Sequence, residues 1–364
     1  MHTEFLIIGQ GLCGTWLSYW LHKAKRSFLV IDNNQLGTSS RIAAGIINPV
    51  TGRRLVKAWM IDELLPGIKK SYTELGNDLN ITAISHRNII DFFPDPFMKE
   101  SFLKRVFENC GYLHLSENPL SFHTYFNYEF GYGEIGPAYT AHLETILPAW
   151  NAYLKLNNCL IEEDFVLSGL EVSEKEIRYK DIKTEKLIFC DGAAISDNPW
   201  FGHLPFAFNK GEILIIEVPG LPVNHVYKKG LFLAPIAETN LFWAGSGYSW
   251  NFSDVNPTAE FRNKTEKQLN NWLKVPFKIV DHKASLRPAT IERRPFVGMH
   301  PVKKNIGILN GMGTKGCSLA PYFAKQLTGH LIHKEEIPAE ADIKRFSKIL
   351  ERKQSPPNRI NKKS

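Results

Sequence analysis

Gly9-Gln-Gly-Leu-Cys-Gly14 is the stretch with the plainest chemistry in this chain. It follows the apolar run Phe5-Leu-Ile-Ile8 at once and leads into an amphipathic run over 15–23. A second apolar run, Ser27-Phe-Leu-Val-Ile31, ends on Asp32. Strand, glycine turn, helix, strand and terminal acid in this order make a βαβ unit suited to a dinucleotide. Gly9 permits the tight turn, Gly11 lets the backbone approach a pyrophosphate, and Gly14 allows close helix–strand packing. Leu12 and Cys13 follow Gly11 where the helix opens, and its free N–H groups and positive dipole end favour phosphate. Asp32 can accept hydrogen bonds from both ribose hydroxyls. A second group stands far along the chain: Arg287, in Leu286-Arg-Pro288. Proline stiffens the chain after it, and a guanidinium can hold a carboxylate through two parallel hydrogen bonds. Tyr248 and Trp250, just after Ala244-Gly-Ser-Gly247, are candidates for the substrate side.

The elements that must position these groups are spread along 364 residues, enough for two joined domains. No apolar run approaches the roughly 18 residues of a membrane span. The first strand begins almost at Met1, so no signal or transit peptide is expected, and the location expected is cytoplasmic. Five scattered cysteines without a C-x-x-C pair suggest reduced thiols and argue against a metal site. From Asp342 to Ser364 eight Lys/Arg stand against two acids, so this segment carries most of the net charge of +7. Such a basic end is either a solvated tail or a contact for the phosphate backbone of RNA.

Periodicity predicts helices over 55–75 (with Pro66 as a break or kink), 99–110, 138–156, 258–273 and 319–331. Strands are expected at 160–166, 187–190, 212–218, 231–234, 241–246 and 306–309. Nucleotide-domain texture thus occurs at both ends and in the middle, with two β-rich inserts between. A contiguous NAD-binding domain would not be split in this way, whereas sites for extended FAD are often assembled from distant segments.

Gly9-x-Gly11-x-x-Gly14, Phe189-Cys-Asp-Gly-Ala193, Asn209-Lys-Gly-Glu212, Leu286-Arg-Pro288 and Gly311-Met-Gly-Thr-Lys-Gly-Cys-Ser-Leu-Ala-Pro321 occur in one order. In this the chain resembles the D-amino-acid-oxidase-like FAD-dependent oxidoreductases, the glycine oxidase and sarcosine oxidase group. The last two motifs, with Gly45-Ile-Ile-Asn-Pro49, look like those of the flavin domain of the bifunctional enzymes that modify the wobble uridine of tRNA. The resemblance implies an α/β fold. A Rossmann-like FAD-binding domain of glutathione-reductase type would be built from 1–79, 138–196 and 286–341. An interleaved α+β substrate domain with a mostly antiparallel sheet would take 80–137 and 197–285, leaving 342–364 as a basic tail.

It also implies roles. Gly9, Gly11, Leu12, Cys13, Gly14 and Asp32 would hold the ADP half of a noncovalent FAD. Ser39, Ser40 and Arg41 would lie along the pyrophosphate and ribityl chain, with Ala44 and Gly45 beside the flavin ring. Val166 would meet the adenine through its backbone, and Gly192 would pass close to the cofactor. Gly313, Thr314, Lys315 and Gly316 would cover the flavin's pyrimidine edge, where N–H donors at a helix start meet developing negative charge. Arg287 would take the substrate carboxylate. The activity implied is oxidation of a C–N bond in a small amine or amino acid, by hydride transfer to flavin N5 and imine hydrolysis. No side chain is assigned as acid or base. The alternative substrate is the carboxymethylaminomethyl group of a tRNA wobble uridine, with tRNA as the partner of the basic segment. Departures from the family pattern are Phe232 for a carboxylate-binding tyrosine, Thr314 for a second arginine and Ser285 for a flavin-linking cysteine. Phe242 or Trp243 stands where an oxygen-activating lysine would be.

Overall fold

The first strand, His2–Ile8, is apolar on both faces from Phe5 onward because that part lies in the middle of a sheet. In the computed structural model it pairs in parallel with Phe28–Ile31 on one side and Ile182–Phe189 on the other. Leu160–Ile161 extends the sheet beyond Phe28–Ile31, and Ile306–Asn310 runs parallel to Ile182–Phe189. A short antiparallel arm completes it: Leu170–Val172 on Ile177–Tyr179, Ile177–Tyr179 on Ile182–Phe189, and Phe296–Met299 on Ile306–Asn310. The parallel strands come from three distant parts of the chain, and their carboxyl ends share one edge. In open α/β sheets that edge is where ligands bind. The structure describes residues 1–352 apart from 117, 119, 174, 175 and 238.

Helix Leu12–Lys23 packs on this sheet and buries Trp16, Tyr19 and Trp20; Trp16 meets Tyr72 and Tyr19 meets Trp150 edge-on, which docks helices Ile61–Leu79 and Leu143–Leu156. Helix Gly316–His333 lies against the same layer and contains Pro321. Proline cannot donate to the carbonyl four residues back. That carbonyl, of Cys317, instead accepts the Tyr72 hydroxyl at 3.0 Å, so the helix continues without an orphaned acceptor.

A second, eight-stranded sheet has the order Lys278–Thr290, Phe206–Glu217, Leu241–Gly245, Leu231–Pro235, Val226–Lys229, Ile89–Phe92, Tyr132–Ile135, Leu113–Leu115. All neighbours are antiparallel except Val226–Lys229 with Ile89–Phe92. Its outer face is covered by helix Ala259–Trp272, whose first turn is capped by the Thr258 hydroxyl accepting from Phe261 N–H at 3.3 Å. The α/β class and the mostly antiparallel second sheet match expectation.

Several element bounds differ. Helix 55–75 starts late, at Ile61, and helix 319–331 starts early, at Gly316. The run 138–156 divides into strand Tyr139–Ala141 and helix Leu143–Leu156. Only Leu160–Ile161 of 160–166 is strand. The 13-residue strand Lys278–Thr290 was not anticipated. The basic segment is not wholly a tail. Ile343 and Leu350 are buried, and Arg345 donates to Glu292 at 3.1 Å and to the Pro295 carbonyl at 3.0 Å. Lys353, Arg359, Lys362 and Lys363 lie outside the described residues. No described helix is long and apolar enough to cross a membrane.

Candidate active site

A cavity of about 840 Å³ opens at the carboxyl edge of the parallel strands and runs to the second sheet, a size that suits a large cofactor with room beside it. Gly9 turns the chain there at φ +97°, and a Cβ on it would stand 2.7 Å from the Cys190 carbonyl oxygen. Gly14 is behind the turn and off the cavity wall. A Cβ on it would collide with the Gly9 carbonyl, so its glycine is required by helix–turn packing. Gly11, Leu12 and Cys13 are on the wall. Opposite them the Ser40 hydroxyl accepts the Leu12 N–H at 3.0 Å. Ser39, Ser40, Ala44 and Gly45 continue the wall.

Asp32 is fixed in advance: one carboxylate oxygen accepts from Gln10 N–H and the other from Asn34 N–H, both at 2.7 Å. Arg41 is off the wall, its guanidinium donating to Asn34 at 2.6 Å. Val166 is also off it. Its N–H goes to the Tyr179 hydroxyl at 3.3 Å and its carbonyl accepts from Gly169 at 3.0 Å, while Phe165 and Leu167 face the cavity.

Sequence reasoning missed Asp191 and Asn310. Asp191 follows strand Ile182–Phe189 and abuts the glycine turn, its Cα 3.1 Å from where a Gly9 Cβ would be. Asn310 Nδ2 donates to its carboxyl at 3.3 Å and to the Gly192 carbonyl at 2.9 Å. No cation faces the carboxyl among the described residues, and burial raises its pKa from 3.8 to about 7. The signal was present in Phe189-Cys-Asp-Gly-Ala193, where only Gly192 had been singled out. Gly192 itself is on the wall at φ +58°. The Cys13 and Cys317 thiols on the wall are pushed up to about 12 by burial, so neither is a nucleophile.

The far end of the cavity belongs to the second sheet. Arg287 is partly buried there and has no carboxylate partner among the described residues. Its Nη1 donates to Asn209 Oδ1 at 2.7 Å and to the Gly247 carbonyl at 3.2 Å. The Tyr248 ring lies 4.6 Å from the guanidinium carbon, and a Cβ at Gly211 would collide with the guanidinium. Trp250 is off the wall and 62% exposed.

Phe232 and Trp243 are on the wall, with Trp243 Nε1 donating to the Ile42 carbonyl at 2.7 Å. Phe242 is buried on the opposite face. Ser285 donates to the Gly37 carbonyl at 2.9 Å. Gly313, Thr314, Lys315 and Gly316 close the remaining side. Lys315 has no acidic partner among the described residues; burial, then Arg294 and Arg293, lower its pKa.

These features fit a bound dinucleotide carrying a flavin. Glycines leave space where a diphosphate must approach, an acid waits where a ribose would lie, and aromatic and small residues flank the remainder.

The model of a family described as "DAO: FAD dependent oxidoreductase" matches residues 138–329, more than half of the chain. Similar solved structures include iminodiacetate oxidase from Chelativorans sp. BNC1, with 19% identity and a TM-score of 0.74, covering 94% of this chain and 98% of that one. Glycine oxidase from Geobacillus kaustophilus shares 15% identity at a TM-score of 0.74, covering 97% and 100%. L-proline dehydrogenase from P. horikoshii shares 16% identity at 0.75, covering 95% and 98%.

Proposed function

Because the chain belongs to the DAO family of FAD-dependent oxidoreductases, we propose that it oxidises the C–N bond of a small amine or amino acid to an imine, which water then hydrolyses. The observation that carries this reading is Arg287: a partly buried cation on the cavity wall, held by neutral partners and a tyrosine ring, with no acidic partner among the described residues. Such an arrangement leaves the guanidinium's charge for a ligand carboxylate.

FAD, when bound, supplies two-electron oxidation of a C–H bond next to nitrogen. The protein's part is to bind and orient. Gly9, Gly11, Leu12, Cys13, Asp32 and Ser40 would hold the ADP half, and Gly45 and Gly313–Gly316 would flank the flavin. Arg287 would fix the carboxylate and thereby the position of the adjacent amine. Phe232 and Trp243 exclude water around that amine, which favours its uncharged form with the lone pair available. No protein acid or base is required at this step.

A second reading keeps this chemistry and places the carboxymethylaminomethyl group of a tRNA wobble uridine in the cavity. Lys315 on the wall, with Arg293 and Arg294 close enough to depress it, supports an anionic ligand larger than an amino acid. Anaerobic mixing with glycine, sarcosine and N-substituted glycines tests the first reading. Bleaching of the flavin band is expected, and no bleaching by any amine overturns it. Salt-sensitive tRNA binding is expected only on the second reading.

A further inference from the structure

Strand Phe206–Glu217 presents Asn209 and Gly211 toward Arg287. By strand alternation Lys210 and Glu212 point the other way. They do not reach solvent: Lys210 is 4% exposed and Glu212 7%. What they meet is the loop 246–258 and the neighbouring strand.

Lys210 Nζ donates to the Asn256 carbonyl at 2.5 Å and stands 3.5 Å from Glu212 Oε1. Glu212 accepts the Thr258 N–H at 2.6 Å and the Thr258 hydroxyl at 2.9 Å, and its Oε2 lies 3.0 Å from His282 Nε2. Backbone bonds continue the attachment, with Lys210 and Ser249 exchanging two at 3.0 Å and Gly247 N–H donating to Glu212 O at 2.9 Å. The loop so tied supplies two of the three contacts on Arg287, the Gly247 carbonyl and the Tyr248 ring. The third, Asn209, also donates to Ser249 O of the same loop at 3.2 Å.

We propose that Glu212, with Lys210 and Thr258, is a positioning residue that clasps loop 246–258 and so sets the guanidinium of Arg287 for its ligand. A buried ion pair contributes little net stability against an apolar substitute, and its best-attested use is to fix one arrangement among several. Here the arrangement fixed is the distance between two strands and a loop that together hold one arginine. The clasp faces away from the cavity, so it acts on a ligand carboxylate through the loop's contacts on that arginine, although Ser246, Tyr248 and Val255 of the loop are also on the wall. His282, the remaining titratable partner, joins from strand Lys278–Thr290, the strand that also carries Arg287.

The inference rests on Arg287 binding a carboxylate. Its test uses the FAD-loaded protein and glycolate, a carboxylate with no amine to oxidise, read by perturbation of the flavin absorbance. Glu212→Gln and the milder Thr258→Val are compared in wild-type and Arg287→Met backgrounds. Thr258→Val removes two hydrogen bonds, the one to Glu212 and the helix cap on Phe261 N–H, without leaving a buried charge unpaired, and it decides the matter if Glu212→Gln does not fold. Arg287→Met should weaken glycolate binding at least 30-fold.

Each clasp variant should weaken it on the order of tenfold, within the coupling found inside one side-chain network, with bound FAD unchanged. In the Arg287→Met background neither should have a further effect. No glycolate response, or one indifferent to Arg287→Met, overturns the carboxylate reading and the clasp with it. A response lost in Arg287→Met but intact in the clasp variants overturns the clasp alone, as does an equal loss in both backgrounds.

Discussion

Asp191→Asn should stabilise the flavin-free protein, and by an amount that depends on pH. The wild-type carboxyl is buried against the glycine turn, faces no cation among the described residues, and is helped only by its own backbone N–H and a long hydrogen bond from Asn310 at 3.3 Å. The titratable groups beside it, the Cys13 and Cys190 thiols, are both held neutral by burial. Burial therefore favours the protonated acid and moves its pKa from 3.8 to about 7. Between those values the folded protein holds a proton that the unfolded chain has released. Folding stability must then fall as pH rises from about 4 to about 7, and level off above.

At 1.4 kcal/mol per tenfold the full shift is on the order of 4 kcal/mol, and water in the adjoining cavity reduces it to about 2–4 kcal/mol. An asparagine can accept the same Asn310 N–H and never ionises. Urea unfolding at pH 5 and pH 8 should give the variant a lead of only about 1 kcal/mol at the lower pH, where the unfolded chain has begun to release the proton that the folded one keeps. At the higher pH the variant should lead by about 2–4 kcal/mol. The same advantage at both pH values, or none at either, would refute an unpaired carboxyl at this turn. FAD affinity offers a second reading of the same group. An ionised Asp191 beside the diphosphate turn would repel it, so wild-type affinity should fall above pH 7 and the variant's should not.

Gly14→Ala should abolish FAD binding or folding, because its methyl would displace the Gly9 carbonyl from the turn; a yellow, stable variant would contradict the packing described. Gly11→Val should lose FAD while remaining folded, since a Cβ there meets only the Ser40 side chain, its hydroxyl at 3.1 Å, and the branched methyls would take the diphosphate's place; circular dichroism and absorbance check both halves. Arg287→Met should lower kcat/KM for flavin reduction by about 30- to 1,000-fold, the equivalent of about 2–4 kcal/mol for truncating one partner of a charge pair, and by less for a decarboxylated analogue. All flavin should leave the protein on acid precipitation, because Ser285 has no thiol to form a thioether; colour in the pellet would show a covalent link.

The first βαβ unit was legible because its pattern is local: a buried strand reads as an unbroken apolar run, and a glycine turn has few alternatives. Tyr248 and Arg287 were likewise named in advance and do meet. The strand carrying Arg287 was not foreseen, and its position explains why. Lys278–Thr290 is an edge strand, paired on one side only, with Phe206–Glu217. An edge tolerates Pro288 and the charged Lys278, Asp281 and Lys283, residues that read as loop when a central strand is sought.

Asp191 was missed for another reason. A lone aspartate after a strand has no period or spacing, and only the fold shows that it faces the turn at Gly9. Helix Gly316–His333 was begun too late because Gly316, Cys317 and Ser318 read as the end of the glycine-rich turn. Pro321, inside the expected helix, is accommodated because the Tyr72 hydroxyl takes the carbonyl it leaves free.

The edge strand also bears on how the protein avoids joining its own copies. An unpaired strand is a template on which another chain can add, and proteins usually blunt it along its length with charge or cover. Here the two devices are divided. The outer half carries Lys278, Asp281 and Lys283 in water, which discourage an incoming strand. The inner half, from Ser285 onward, is covered from within the molecule, by the Ser285–Gly37 bond and the Gly313–Lys315 turn. Charge-neutralising changes at the outer three positions should therefore appear first as loss of solubility on expression rather than as loss of activity.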